Sequence, residues 1–426
     1  RSSVMITIAR AISIVAITLV AFSVQAQAPA PKGPPPLPDG KGRQLVEGLC
    51  AACHATNLIS NSSGYTREHW KELIGYMIDL SNNKAAQDEI LDYLAAKFPP
   101  NTKRAPKLVP GKLEVTFKEW VMPRLGQRTR DPIQATDGTI WYAGQFGNLI
   151  GRLDPKTGVA KEYDLPPNSM PHTVQLDPKG RPWFSGNKNG SIGWLDPATG
   201  KTTVYKMPDP EAVDVHTITF DKKGLVYFTF QWANMVGRLN PDTGDIKLAK
   251  VAAERSQPYD IKFDQEGTLW VSCNARPCLL KVNPDTLDIT EVKLPPGATT
   301  VRRFDVAPDG IIWYVNSGGG RLGRFNPKTG DITEYESPSG PRSHPYGIVV
   351  MDGGVWYNES GMRPDPLVRF DIATEKFQSW PIKSGNVYAG ILRNARKTRE
   401  GTLLIHQTAT NRIIEVIPQG ARVAQR

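Results

Sequence analysis

The chain has 426 residues, 39% of them hydrophobic and 22% charged, and a formal net charge of +10. That length exceeds one ordinary domain and predicts two. The charge suits an anionic substrate or an acidic partner, and the lack of a basic tract interleaved with aromatics argues against nucleic acid. In chain order, Arg10 precedes an apolar run from Ala11 to Val24, followed by Ala26-Gln27-Ala28, the small residues of a cleavage site. Residues 1–28 therefore read as a signal peptide. The apolar run falls short of the roughly 20 residues of a membrane span. The expectation is a periplasmic protein with no transmembrane segment in its mature form; a retained anchor is the alternative. Residues 29–40 are proline-rich and read as a stiff, extended linker.

Cys50-Ala51-Ala52-Cys53-His54 has the C-x-x-C-H pattern of c-type haem attachment. The Cys50 and Cys53 thiols would add across the haem vinyl groups, and His54 would become an axial iron ligand. A disulfide or half a zinc site is the alternative, but no second Cys/His pair lies within zinc-finger spacing. Helical patterns flank the motif over Lys41–Cys50, Thr66–Leu80 and Asp88–Phe98, the last with Ile90, Leu91, Tyr93, Leu94 and Phe98 at helical spacing. Thr66 is a natural N-cap. Residues 41–100 thus resemble a small single-haem cytochrome c. The resemblance implies one covalent haem c, a soluble or membrane-bound electron-transfer partner, and Met77 as the distal ligand. His69 and an open sixth position remain as alternatives, as does Met77 filling the core. Residues 101–112 read as a second linker.

Beyond it the chain repeats. Aromatic-led strands begin at Trp141, Trp183, Tyr227, Trp270, Trp313 and Trp356, with a weaker counterpart at Leu403, at intervals of 42 to 47 residues. The first six are each followed by a turn such as Asp154-Pro-Lys-Thr-Gly or Asn326-Pro-Lys-Thr-Gly, in which Asp or Asn opens the turn, proline fixes φ and glycine takes the left-handed position; Asn283-Pro-Asp-Thr-Leu and Asp371-Ile-Ala-Thr-Glu are the weaker copies. Four short strands per repeat spell a β-propeller blade, and seven repeats give seven blades over residues 113–420. The last blade lacks an outer strand at its C-terminal end. Residues 113–123 match the fourth-strand pattern and are expected to supply it, closing the ring and removing free sheet edges. The expected fold is an all-β seven-bladed β-propeller preceded by a small all-α domain. The repeated G-R-x-[DN]-P-x-T-G, the W-[YF]-x-x strands and the run Gln231–Leu239 (QWANMVGRL) resemble the virginiamycin B lyase (streptogramin lyase) family. The resemblance implies a metal-assisted lyase using histidine and glutamate with a divalent ion. Of the seven positions equivalent to a W-x-x-E glutamate, this chain keeps only Glu359.

Strand direction sorts residues by face. The leading positions of the innermost strands are Arg130, His172, His216, Tyr259, Arg302, Tyr346 and Tyr388. The trailing positions of the second strands, at the same end of the channel, include Cys273, Glu359 and His406. All four propeller histidines (His172, His216, His344 and His406) map to this face. Arg130, Arg302 and Arg303 suit a carboxylate, phosphate or sulfate, and Tyr259, Tyr346 and Tyr388 suit stacking or proton donation. A polar plug is the alternative. A second metal, copper or magnesium, at His172 and His216 would serve redox or lyase chemistry. Cys273 and Cys278 bracket one hairpin turn, predicting a disulfide, with a metal-binding thiol pair as the alternative. The favoured function is a periplasmic haem oxidoreductase whose propeller binds a small molecule. The alternatives are a lyase like the named family, or an electron carrier with a docking platform.

Overall fold

In the computed structural model, residues 36–421 are described apart from 51–55, 57–58, 60–64, 76–77, 100–104, 298–299, 383–391 and 409–410. The signal segment, Cys53, His54, Met77 and Tyr388 lie outside the described residues, as does the side chain of His69.

The first described segment is helical: α1 (Arg43–Cys50), α2 (Arg67–Gly75) and α3 (Lys84–Lys97). Asn83 caps α3, accepting the Ala86 N–H at 3.1 Å. Val46, Trp70, Ile74, Ile90, Leu91, Leu94 and Phe98 form one buried core, against which Cys50 packs. Leu37 belongs to that core and the Pro38 carbonyl accepts the Tyr93 hydroxyl at 2.6 Å, so packed structure begins inside the stretch read as linker. Arg67 ties α2 to α3 through Asp88 and Asp92 at 2.9 and 2.7 Å.

From residue 115 the chain forms seven four-stranded antiparallel sheets. Six are continuous, spanning 129–164, 174–206, 215–250, 258–293, 301–336 and 345–381; we number them blades one to six. Blade seven takes three strands from residues 396–418 and its outer strand, Val115–Val121, from the beginning of the propeller. Val115 pairs with Pro418 and Val121 with Arg412, so the expected closing strand is in place. Second strands such as Ile312–Asn316 are buried at every residue, while outer strands such as Ile332–Glu336 are buried at none. The full burial of the second strand explains why the aromatic-led strand is the strongest repeat signal. In two blades the aspartate of the hairpin turn anchors the aromatic: Asp177 accepts the Trp183 indole N–H at 3.0 Å and Asp264 that of Trp270 at 2.9 Å.

Two third-strand glycines are fixed by close packing. A Cβ built on Gly151 or Gly323 would lie 2.0 Å from the ring of Tyr142 or Tyr314 on the adjoining strand. Gly323→Ala is therefore expected to lower stability by about 1–3 kcal/mol through overpacking. Chemical denaturation checks this, and an unchanged midpoint would contradict the packing described.

Candidate functional site at the channel mouth

The innermost strands carry a register shift where they begin. It falls between Arg130 and Ile133 in blade one, Val215 and Ile218 in blade three, Pro258 and Ile261 in blade four, Val301 and Phe304 in blade five, and Pro345 and Ile348 in blade six. Such bulges turn side chains away from simple alternation. Two residues ahead of the leading position, Arg128, Met170, Gln257 and His344 all have positive φ, between 46° and 57°. Left-handed backbone at non-glycine residues costs free energy and gathers where a site needs it. The same device thus recurs around one end of the channel.

It builds an aromatic file. The His172 and His216 rings lie 3.7 Å apart, and His216 and Tyr259 4.1 Å apart, between centroids. Tyr259 and Tyr346 share a short hydroxyl–hydroxyl hydrogen bond, and His344 lies 6.1 Å beyond the Tyr346 ring. Arg130 closes the file at its His172 end, and Arg302 and Arg303 flank the two tyrosines. The Arg130 guanidinium donates to Gln145 Oε1 and to His172 Nε2, both at 2.7 Å. Arg302 stands over the Tyr346 ring at 4.7 Å and donates to its hydroxyl at 3.4 Å. Arg303, fully buried, pairs with Asp260 at 3.0 Å, donates to the Arg393 carbonyl at 2.6 Å and faces the Tyr259 ring at 5.5 Å.

Positive charge governs titration here. Burial, reinforced by Arg130, pushes His172 well below its ordinary value, and burial with Arg303 does the same to His216. Burial also lowers His344 to about 4 and His406 to about 3. All four imidazoles are therefore neutral near pH 7. The tyrosines diverge. Burial and the neighbouring Tyr346 raise Tyr259. Burial opposes ionisation of Tyr346 too, but Arg302 and Arg393 outweigh it and bring Tyr346 down to about 7. Asp131 is held low despite its burial, because Arg303, Arg130 and Arg396 favour its charge.

The structure thus brings together Arg130, His172, His216, Tyr259, Arg302, Arg303, His344 and Tyr346. It does not bring Glu359 to the file. That buried carboxylate accepts Ser337 Oγ–H at 2.6 Å and the Ser339 N–H at 2.9 Å, and also bonds Ser339 Oγ, so it serves the connection between blades five and six. His406 is also spoken for: Nε2 accepts the Arg393 N–H at 3.2 Å and Nδ1 lies 3.2 Å from Thr408 Oγ1. Cys273 and Cys278 form a disulfide, with an S–S distance of 2.06 Å. The residues do not fit a copper or magnesium ion at His172 and His216. His172 Nε2 already accepts a guanidinium N–H, and among the described residues no three His, Cys, Asp or Glu side chains group as metal ligands.

Sequence reasoning missed Asp131, Asp260, Arg128 and Arg393. Asp131 and Asp260 each directly follow a leading position, as Arg303 does. Reading that second position around the ring would have found them.

A family model described as the virginiamycin B lyase family matches residues 111–386. Among solved structures, virginiamycin B lyase from Staphylococcus aureus aligns with a TM-score of 0.65 at 23% identity, over 71% of this chain and 99% of that one. A catalytically inactive histidine-to-alanine form of the Staphylococcus aureus enzyme, solved with quinupristin, aligns with a TM-score of 0.64 at 23% identity, over 71% and 99%. Hydrazine synthase of Kuenenia stuttgartiensis aligns with a TM-score of 0.56 at 12% identity, over 69% and 96%. These likenesses describe the fold. A comparison with curated protein sequences gave no match.

Proposed function

Since this chain belongs to the virginiamycin B lyase family, we propose that its propeller is a lyase that works by proton abstraction and β-elimination at the channel mouth. The observation that carries this is the Tyr259–Tyr346 hydroxyl pair beneath Arg302. Two titratable groups in contact whose environments push them apart identify a base and an acid. Tyr346, stabilised as phenolate by Arg302 and Arg393, takes a proton from the carbon next to a carboxyl or ester carbonyl. Tyr259, kept protonated, donates to the leaving oxygen as the neighbouring C–O bond breaks and the C=C bond forms. The hydroxyl–hydroxyl bond then returns the proton from Tyr346 to Tyr259. Arg302 and Arg303 stabilise the negative charge that develops on the substrate oxygens. The test is incubation of the full chain with quinupristin and with oligogalacturonide, following formation of an unsaturated product by absorbance and mass. Turnover of either that disappears in Tyr346→Phe supports the reading; turnover that persists in the variant refutes the assignment.

The C-x-x-C-H motif at residues 50–54 supports a second reading. We propose that the helical segment is an exported, periplasmic haem c module that exchanges electrons with a soluble or membrane-bound partner. Cys50 and Cys53 would hold the haem covalently, with His54 and Met77 as axial ligands. Two features of the helical core suit this group. Cys50 ends α1 packed against that core, and the buried Trp70 indole N–H has no acceptor among the described residues. When bound, the haem supplies one-electron transfer. Protein made in a host that matures c-type cytochromes is expected to keep haem through denaturing electrophoresis, and to lose it in a Cys50→Ala, Cys53→Ala double variant. Folded, colourless wild-type protein from that host would contradict the proposal.

A further inference from the structure

The mouth holds more positive charge than it neutralises. Arg128, Arg130, Arg302, Arg303, Arg393 and Arg396 act on one another and on the same buried groups. The carboxylates among them are Asp131 and Asp260, both fully buried. The histidines add no positive charge, being neutral. Cations crowded out of water are costly unless anions pair with them.

The buried polar atoms left over have a definite chemistry. Among the described residues, Arg130 Nε, Arg302 Nε and Arg303 Nη2 are donors with no acceptor. Asp131 Oδ1, Asn274 Oδ1 and Gln407 Oε1 are acceptors with no donor. Buried donors and acceptors are normally satisfied, so a set left unpaired around one channel points to a guest. Guanidinium N–H groups match a carboxylate, and lone carbonyl and carboxylate oxygens match hydroxyl groups.

We propose that the substrate is a hydroxylated carboxylate of the uronic-acid type: a carboxylate, the acidic C–H beside it, and an oxygen substituent one carbon further on. This rests on the lyase reading above and supplies its substrate class. The carboxylate lies against Arg302, beside Tyr346, within the field of Arg303 and Arg130. Hydroxyl groups donate to Asp131, Asn274 and Gln407. In the elimination the C–H electron pair becomes the new C=C bond and the proton goes to Tyr346. The C–O bond breaks with its pair on oxygen, and that oxygen takes the Tyr259 proton. The products are an unsaturated acid and a free hydroxyl. No oxidant or reductant is needed.

The experiment is calorimetric titration of the full chain with galacturonate and with galactose, which differ by the carboxylate. Galacturonate is expected to bind at least about tenfold tighter, a difference of about 1.4 kcal/mol. That preference should weaken with added salt and be lost in Arg302→Gln, whose side chain is only half-buried and whose fold is checked by its melting temperature. Equal binding of the two sugars, or binding of neither, overturns the proposal. Its failure is separable from that of the lyase reading. Quinupristin turnover that requires Tyr346, with no preference for galacturonate, removes the substrate class and leaves the lyase. Selective galacturonate binding, with oligogalacturonide left intact, keeps the anion site and removes the lyase.

Discussion

Tyr346→Phe is expected to lower kcat by about 100- to 10,000-fold, the usual contribution of a positioned general base, with KM changed little. The substitution removes one oxygen. The ring keeps its place 4.7 Å beneath Arg302 and 6.3 Å from Tyr259, so binding contacts survive while the proton acceptor is lost. The pH profile follows from the same pair. Tyr346 must be ionised, so kcat/KM should rise with pH through about 7 and level off above it. Tyr259 must stay protonated, so activity should fall only as pH approaches about 12. In Tyr346→Phe the acidic limb should vanish from whatever rate remains. A drop confined to KM would place Tyr346 in binding instead.

Asp260→Ala is expected to destabilise the propeller by about 3–5 kcal/mol, because removing one partner of a buried ion pair strands the other charge. Asp260 is 1% exposed; it pairs with Arg303 at 3.0 Å and accepts the backbone N–H of Phe304 at 3.3 Å, joining blades four and five at the axis. Asp260→Asn should cost less, since an amide oxygen still accepts a hydrogen bond. Urea unfolding of the three proteins checks the order. A loss below about 1 kcal/mol for Asp260→Ala, the range of exposed pairs, would show that Asp131 alone compensates Arg303 and contradict this expectation.

The blade count and the closing strand at residues 113–123 were legible because their causes repeat. Six blades bury an aromatic-led strand and turn at an Asp or Asn, in most of them with proline and glycine, so the same residues recur. The mouth was legible in part for the same reason: one position per blade leads into the channel. What alternation could not show lies at the bulges. In a regular strand Arg130 and Asp131, or Arg302 and Arg303, would point to opposite faces; the register shift beginning at that point brings both members of each pair into the same charged cluster. Glu359 was misplaced for a different reason. Its position in the strand is right, but Ser337 and Ser339 lie on a neighbouring connection whose course no local pattern gives. Arg393 lies just ahead of the short inner strand of blade seven, Arg396–Lys397, where the repeat is weakest in sequence, so it was not aligned with the site.

The most direct test of the acid–base pair needs no substrate. An ultraviolet difference titration of the full chain against Tyr346→Phe reads tyrosine ionisation alone. The account predicts one tyrosine that ionises near neutral pH, below the ordinary value near 10, and that is missing from the variant. Identical titrations, with every tyrosine ionising at or above the ordinary value, would contradict the central claim.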